Sequence, residues 1–244
     1  EFCQNWEISK DRPKVIKHVM PQQLIQIATE RKSKGIAFTY NEPVVSFEFI
    51  LDTSRAASKE GIYSVLVTNG VIEREPMELL SQSMRAMNID IKGWNDDFYR
   101  KEIGTEKANV LRSIEIALKS GVHIELTTLI IPGKNDNLEE MEEEALWIKS
   151  LSPDIPLHIN RYFPNYHYTV PATQIESLIE LASKAKKHLN YVYVGNVVLE
   201  GYSDTFCPDC GNLLIERRGY NVIVSGVDEK GRCTSCQKEI SLVF

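Results

Sequence analysis

The chain has 244 residues, of which 28 are basic and 34 acidic, giving a net charge of −6 at neutral pH. This balance argues against a protein that binds nucleic acid by electrostatic attraction, and no segment reaches the roughly 18 uninterrupted apolar residues of a membrane span. The length allows one large domain and a small appendage. Because the polar start does not resemble a signal peptide, we expect a cytoplasmic protein.

Apolar side chains recur three and four residues apart in several long segments, and short runs rich in β-branched and aromatic residues separate these segments. Such alternation is typical of parallel strands joined by helical crossovers, so we predict an α/β fold. We assign residues 1–199 to a partial, TIM-like (β/α) barrel. The predicted helices are 20–34, 44–59, 76–86, 107–119, 138–151 and 173–189, and the predicted strands are 36–40, 63–68, 88–91, 123–131, 157–162 and 191–197.

The alternation begins with a helix, although each later helix follows a strand. Because the helix over 20–34 should cross over from a strand, we infer that a first strand and a loop precede Cys3 and are absent from this chain. Cys3 would then lie at the edge of the sheet where the other strands end. Taken alone, Cys3 is equally compatible with a buried thiol.

The remaining four cysteines form two Cys-x-x-Cys pairs, Cys207 with Cys210 and Cys233 with Cys236. Two such pairs present four thiolates, the ligand set of a tetrahedral site for Zn²⁺ or a single iron ion, and we favour zinc. The alternative is a pair of disulfides, which a reducing compartment disfavours. Residues 200–244 are therefore predicted to form a zinc-ribbon or rubredoxin-like knuckle, with a hairpin of 213–217 against 221–225.

Polar residues follow two early strands. Glu42, next to Asn41, comes after the first predicted strand and would bind an ammonium group, although a carboxylate that caps a helix is the alternative. Thr68 and Asn69 offer a hydroxyl and an amide after the next strand, where an ordinary Asn-Gly turn is the alternative.

Further charged residues lie at later strands. Asp90 and Lys92 share one side of a strand because alternate residues share a face, and an internal ion pair is the alternative interpretation. His158 lies within a strand, where a histidine buried in the core is the alternative. The acidic run over 139–144 is interpreted as a solvated helix face.

Together these motifs resemble those of radical S-adenosylmethionine (SAM) enzymes. Phe2 and Cys3 resemble the end of the signature Cys-x-x-x-Cys-x-aromatic-Cys, and Tyr-Asn-Glu-Pro at 40–43 stands where activating enzymes of the pyruvate formate-lyase type have Gly-Gly-Glu-Pro. The resemblance is strongest to AmmeMemoRadiSam-system radical SAM enzymes. These share the motifs Cys-Gln-Asn-Trp-Glu, Thr-Tyr-Asn-Glu-Pro, Tyr-Val-Tyr-Val-Gly-Asn-Val and a terminal Cys-Pro-x-Cys-Gly.

The resemblance implies that Cys3 is one of three thiolates on a 4Fe-4S cluster, whose open iron binds S-adenosylmethionine. It further implies that Asn41 and Glu42 hold the methionyl ammonium group. A 5′-deoxyadenosyl radical would then abstract hydrogen from a substrate, without any protein residue assigned a catalytic role. The implied cofactor-binding residues are Phe2, Cys3, Asn41, Glu42, Thr68, Asn69, Asp90, Lys92, Ile131 and His158.

Two departures from the family pattern shape what we expect of this chain. The first two cysteines of the signature are absent, so the chain as given should retain zinc but hold no stable cluster and be inactive. Val67 stands where many activating enzymes have an acidic residue of a cation site. The implied partners are an unidentified substrate, for which a protein is one option, and an electron donor such as ferredoxin or flavodoxin. The alternative function is a catalytically inactive scaffold that binds a partner through the ribbon.

Overall fold

The computed structural model describes residues 5–9 and 17–241. In this part of the chain, six parallel strands form one sheet whose order follows the chain, and three antiparallel strands form a second sheet. The α/β prediction is therefore confirmed. The strands are Gly35–Phe38 (β1), Tyr63–Thr68 (β2), Ala86–Asp90 (β3), His123–Ile130 (β4), Leu157–Arg161 (β5), Val192–Gly195 (β6), Thr205–Phe206 (β7), Leu213–Arg218 (β8) and Asn221–Val224 (β9).

The helices alternate with the first six strands. A 3₁₀ turn at Pro43–Ser46 and a π-helical turn at Tyr99–Ile103 accompany them. Within the described residues, no helix is long and apolar enough to cross a membrane. The helices are Trp6–Ser9 (α1), Pro21–Glu30 (α2), Phe47–Lys59 (α3), Arg74–Ser81 (α4), Asp96–Phe98 (α5), Lys107–Lys119 (α6), Leu138–Leu151 (α7) and Ile175–Ala185 (α8).

Three predicted helix ends are wrong by four or five residues. The helix expected over 20–34 ends at Glu30, and that expected over 173–189 ends at Ala185. The helix expected over 76–86 ends at Ser81, and Ala86 already lies in β3 opposite Val65. The backbone N–H of Arg85 donates to Ser64 O at 2.8 Å, so the chain joins the ladder with β2 before the predicted strand begins. Pairing with a neighbouring strand thus overrides a helical pattern that continues in the sequence.

The chain divides into two compact units, of which the first contains Glu1–Lys92, Asp96–Leu126 and Pro164–Pro171. In this unit β2 pairs in parallel with both β1 and β3, α2 packs on α3, and α4 packs on α6. The polar residues that follow β1, β2 and β3 are thereby carried to one edge of the sheet. Apolar side chains buried in this unit include Ile50, Leu66, Met77, Leu80, Met87, Ile89 and Ile114.

The second unit contains Gly93–Asn95, Thr127–Phe163 and Ala172–Phe244. In it β5 pairs in parallel with β6, α8 packs on both strands, and α7 packs on α8. Thr173 is buried and donates its hydroxyl to Ile130 O at 2.6 Å, joining the start of the α8 segment to the end of β4. The unit also includes the ribbon β7–β9, in which the predicted hairpin is confirmed as β8 paired with β9.

The acidic run at the start of α7 is solvated only in part, because Glu139 and Glu143 are exposed whereas Glu144 is buried. Glu144 is 1% exposed and accepts a hydrogen bond from Thr128 Oγ1 at 2.6 Å. Met141, Ala145 and Ile148 are buried on the same side of the helix because residues three and four apart share a face. The apolar periodicity, rather than the charge of the run, decides its orientation. The boundary between domains at residues 199 and 200 stays a prediction.

Candidate functional site

The carboxylate of Glu42 is fixed by residues at the end of β2. Thr68 Oγ1 donates to Glu42 Oε1 at 2.5 Å, and the backbone N–H of Asn69 donates to Glu42 Oε2 at 2.7 Å. Val44 N also lies 3.4 Å from Oε1, so the carboxylate caps the 3₁₀ turn at Pro43–Ser46. The capping alternative is therefore observed, and the same contacts bring Glu42, Thr68 and Asn69 together as one cluster.

The turn after β2 shapes this cluster. Asn69 Oδ1 accepts from Val71 N at 2.8 Å, and Thr68 Oγ1 accepts from Gly70 N at 3.1 Å. Gly70 has φ +71°, and a Cβ there would lie 2.9 Å from Ile89 Cγ2. Only glycine accommodates both the backbone angle and the close approach, so the predicted Asn-Gly turn exists and directs the Asn69 N–H at Glu42.

A cavity of about 550 Å³ opens beside this carboxylate, within the size range of small-ligand sites. Its wall includes Asn41 and Glu42 together with the apolar side chains of Val45 and Phe49. Tyr40, which is 66% exposed, lies at the same wall. The two residues predicted to hold an ammonium group thus line one cavity that is suited to a small cationic ligand.

Asp90 and Lys92 form an ion pair at the end of β3. Lys92 Nζ lies 2.5 Å from Asp90 Oδ2, and both side chains are less than one-third exposed. The backbone N–H of Lys92 donates to the hydroxyl of Tyr99 at 2.9 Å, and Tyr99 is fully buried. The ion-pair alternative is therefore observed. Tyr99 was not predicted as a site residue, because its π-helical turn gives no helical or strand periodicity. The adjacent aromatic residues Phe98 and Tyr99 were the sequence feature that could have indicated a buried turn here.

Ile131 and His158 belong to the second unit. Ile131 directly follows β4, is buried, and donates its backbone N–H to Asn135 Oδ1 at 2.7 Å. His158 lies in β5 and is half-buried, with its ring stacked on Tyr193 at a centroid distance of 5.2 Å. The predicted site residues Phe2 and Cys3 lie outside the described residues.

The four ribbon cysteines converge on one point. Their sulfur atoms all lie within 4.8 Å of one another, with 3.6 Å between Cys207 and Cys236 and 3.7 Å between Cys210 and Cys233. A zinc ion bound by thiolates at about 2.3 Å in a tetrahedron separates its sulfur atoms by about 3.8 Å, so the spacing fits such an ion. All four cysteines are free, which excludes the disulfide alternative.

The thiols of this cluster do not titrate alike. Hydrogen bonding to the backbone of Cys236 lowers the pKa of the Cys233 thiol to about 6, so a thiolate is present at neutral pH. Hydrogen bonding to the backbone of Lys238 lowers the pKa of the Cys236 thiol, but the neighbouring thiols, Cys210 first among them, outweigh this effect and raise the pKa to about 12. A metal ion bound here would be coordinated by thiolates, so metal binding at this cluster would release protons.

Comparison with known proteins identifies relatives of most of the chain. Residues 1–148 match the family described as the Radical SAM superfamily. An uncharacterized protein of Methanocaldococcus jannaschii is 40% identical over 248 residues, which covers 99% of this chain and 74% of that protein. The pyruvate formate-lyase 1-activating enzyme of Escherichia coli is 29% identical over 106 residues, which covers 42% of this chain and 43% of the enzyme.

The fold is also found among solved structures. The crystal structure of Streptococcus suis SuiB bound to S-adenosylmethionine matches with a TM-score of 0.60 and 14% identity. The match covers 76% of this chain and 45% of SuiB. At this level of identity the likeness concerns the fold alone.

Proposed function

This chain belongs to the radical SAM superfamily and is related to pyruvate formate-lyase activating enzymes, and we propose that it acts as an enzyme that abstracts hydrogen from a substrate. The cofactors would be a 4Fe-4S cluster and S-adenosylmethionine. When bound and reduced, the cluster supplies the electron that cleaves S-adenosylmethionine into methionine and a 5′-deoxyadenosyl radical. The protein's own residues bind, orient and shield the reactants.

The observation that carries the proposal is the fixed carboxylate of Glu42 beside a cavity of about 550 Å³. Two donors from the end of β2 hold its two oxygens, and carboxylate oxygens accept more than one hydrogen bond each. Glu42 would therefore accept a hydrogen bond from the ammonium group of S-adenosylmethionine without moving, with Asn41 at the same wall. Fixing the acceptor beforehand reduces the entropy lost on binding.

The other predicted residues would complete the binding of S-adenosylmethionine. The ion pair of Asp90 and Lys92 offers an acceptor and a donor, suited to the ribose hydroxyls and the methionyl carboxylate. Tyr99 would fix the Lys92 backbone for this purpose. The resemblance to radical SAM enzymes assigns Ile131 and His158 to the adenosine and Phe2 and Cys3 to the cluster, and these roles stay predictions. A protein is the substrate class we favour, because the related enzymes are named as activators of another enzyme, pyruvate formate-lyase.

For the ribbon we propose a structural zinc ion bound by four thiolates, Cys207, Cys210, Cys233 and Cys236. The spacing of the sulfur atoms supports a tetrahedral ion. Four protein ligands leave no open position for a reactant, so this ion would stabilise the ribbon rather than take part in the reaction. Zinc is favoured over iron because structural sites of this kind are mostly zinc sites.

The test is reconstitution of the natural full-length protein with iron and sulfide under anaerobic conditions, followed by reduction in the presence of S-adenosylmethionine. We expect 5′-deoxyadenosine and methionine in equal amounts, with dithionite, ferredoxin or flavodoxin as reductant. Metal analysis before reconstitution should give one zinc ion per chain. A protein that binds the cluster but never cleaves S-adenosylmethionine would contradict the enzymatic proposal and favour the scaffold alternative.

A further inference from the structure

A buried hydroxyl links the ribbon to the strands of the second unit. Thr205, in β7, is 3% exposed and lies two residues before Cys207. Its Oγ1 lies 2.8 Å from the hydroxyl of Tyr193 in β6 and accepts a hydrogen bond from Arg217 Nη1 in β8 at 2.7 Å. The side chains of three strands therefore meet at one atom.

Arg217 is held at several points around this atom. Its Nη1 also donates to Ser203 O at 3.0 Å, and its backbone N–H donates to Asp204 Oδ1 at 2.7 Å. The guanidinium carbon lies 5.5 Å from the ring centroid of Tyr193, a cation–π distance. Arg217 thus ties the segment that leads into Cys207 to the ring of Tyr193.

Tyr193 in turn contacts His158. The two residues are directly opposite in the parallel pairing of β5 and β6, and their rings stack with an interplanar angle of 28°. A continuous set of contacts therefore runs from Cys207 through Thr205 and Tyr193 to His158. All of these residues lie within one compact unit.

We propose that Tyr193 and Arg217 are positioning residues through which metal binding at the four cysteines sets the orientation of His158. Strand β7 has only two residues, so its position depends on what anchors Cys207 at its end. Bound metal fixes Cys207, and β7 then holds the Thr205 hydroxyl against Tyr193. Without metal, no ion holds the four sulfur atoms together, so Cys207 is no longer fixed, β7 shifts, and the Tyr193 ring loses the contact that orients it beside His158.

This inference rests on the proposed function in one respect, which is that the proposed role of His158 is to contact S-adenosylmethionine. The coupling itself is a property of the second unit that needs neither the cluster nor S-adenosylmethionine. An experiment without either cofactor therefore separates the two proposals, since its failure would leave the proposed function standing.

The experiment follows the ring C–H resonances of the histidines by NMR in the full chain, first with zinc, then after chelation, then with zinc alone restored. We expect His158 to shift reversibly, while His123 in the first unit and His188, three residues after the end of α8, stay in place. The variants Tyr193→Phe and Thr205→Val each remove one hydroxyl with little change in shape. In both, the zinc-dependent shift of His158 should fall to less than half.

Tyr202→Phe serves as the matched control, because it also removes a tyrosine hydroxyl, and the Tyr202 ring lies 4.5 Å from Lys186 Nζ. It should keep the full zinc-dependent shift. The proposal is overturned if His158 in the wild type does not respond to zinc, or if both hydroxyl variants respond like the wild type. It is equally overturned if His123 and His188 shift along with His158, because chelation would then act through general unfolding.

Discussion

At the scale of single residues, the central finding is that Glu42 is held by partners 26 and 27 positions later in the chain. The bond to Asn69 comes from a backbone N–H, which can only donate. The oxygen that faces this N–H must accept, and a carboxylate meets this requirement while also supplying the negative charge that attracts an ammonium group. The alternatives of a capping carboxylate and a ligand-binding carboxylate are compatible, because capping is what holds the group at the cavity.

We predict that Glu42→Gln weakens binding of S-adenosylmethionine to the reconstituted full-length protein by roughly 10- to 100-fold. The amide NH₂ of glutamine would face either the Asn69 N–H or the Thr68 hydroxyl, and the neutral group would attract an ammonium less strongly. Equilibrium binding measurements would give the ratio. Glu60→Gln, at an exposed position after α3, is the control and should bind as the wild type does. Equal affinities of both variants would contradict the role of Glu42.

At the scale of elements, close backbone approach is what shapes the ribbon. Gly226 follows the β8–β9 hairpin, where its N–H donates to Leu214 O at 3.1 Å and its carbonyl accepts from Thr234 N at 2.9 Å. A Cβ at this position would lie 2.0 Å from Leu213 O. Thr234 directly follows Cys233, so the contact sets the position of the second cysteine pair relative to the hairpin.

Gly226→Ala should therefore lower the zinc affinity of the ribbon. Backbone atoms must move to admit the methyl group, which destabilises the folded ribbon by about 1–3 kcal/mol. Because metal binding and folding of the ribbon are coupled, this cost lowers the zinc affinity by roughly 5- to 150-fold. Competition with a zinc indicator would measure the loss. The adjacent exposed variant Ser225→Ala retains the backbone bond to Leu214 and should bind zinc normally. An unchanged zinc affinity in Gly226→Ala would contradict this prediction and would mean that the ribbon backbone accommodates the methyl group without strain.

Helices α7 and α8 are joined by an ion-pair group whose effect depends on pH. Lys184 Nζ lies 2.7 Å from Glu142 Oε2, and His188 Nε2 lies 3.2 Å from Glu142 Oε1. Hydrogen bonds from Lys184 first, and then from His188, lower the pKa of Glu142 below its ordinary value of 4.5. A lowered pKa contributes stability that is present above the unfolded-state value and is lost as the pH falls through the folded-state value.

Lys184→Met should therefore lower the melting temperature near pH 7 by about 1–2 °C, as expected for a pair in contact with solvent. Below the pKa of Glu142 the carboxylate is neutral in both proteins, so the difference should shrink towards zero. Thermal unfolding at several pH values is the measurement. Lys187→Met is the control at an exposed position and should show no such pH dependence. A difference independent of pH would mean that Lys184 acts through packing instead.

At the scale of the whole molecule, the net charge of −6 remains the main guide to partners. Long-range repulsion disfavours polyanions, whereas a protein substrate needs no excess of basic residues. The match spans 43% of that activating enzyme, so the activity, substrates and partners of the whole enzyme remain proposals for this chain.

We predict that the protein does not bind unstructured RNA at physiological ionic strength. Filter binding over a range of salt concentrations would test this expectation. A protein that neutralises several phosphates shows a steep loss of affinity with salt, and we expect no such slope. Tight binding with a steep slope would instead favour an enzyme that modifies nucleic acid and uses the ribbon to hold it.

The sequence alone was enough for much of this description, for definite physical reasons. Helical and strand periodicities alternate clearly, so the parallel sheet and the bounds of β2, α6 and α7 followed from the pattern. The paired Cys-x-x-Cys motifs predicted a four-sulfur cluster, because each motif presents two thiolates at close range. Strand ends of a parallel sheet share an edge, so Glu42 and Thr68 were expected to lie near each other.

Tertiary structure decided what depends on long-range contact. Glu144 contradicts the interpretation of the acidic run as solvated, because a carboxyl group can be buried where a hydrogen-bond donor, here Thr128, meets it. The π-helical turn that carries Tyr99 has no periodicity to detect. Likewise, nothing in the sequence indicates that Thr205 lies between Tyr193 and Arg217. These residues come from three different strands, β7, β6 and β8, so their side chains meet only after the strands have assembled. The sequence determines the type and spacing of the functional groups, whereas only the tertiary structure determines which side chains contact one another, because those contacts join residues distant in the chain.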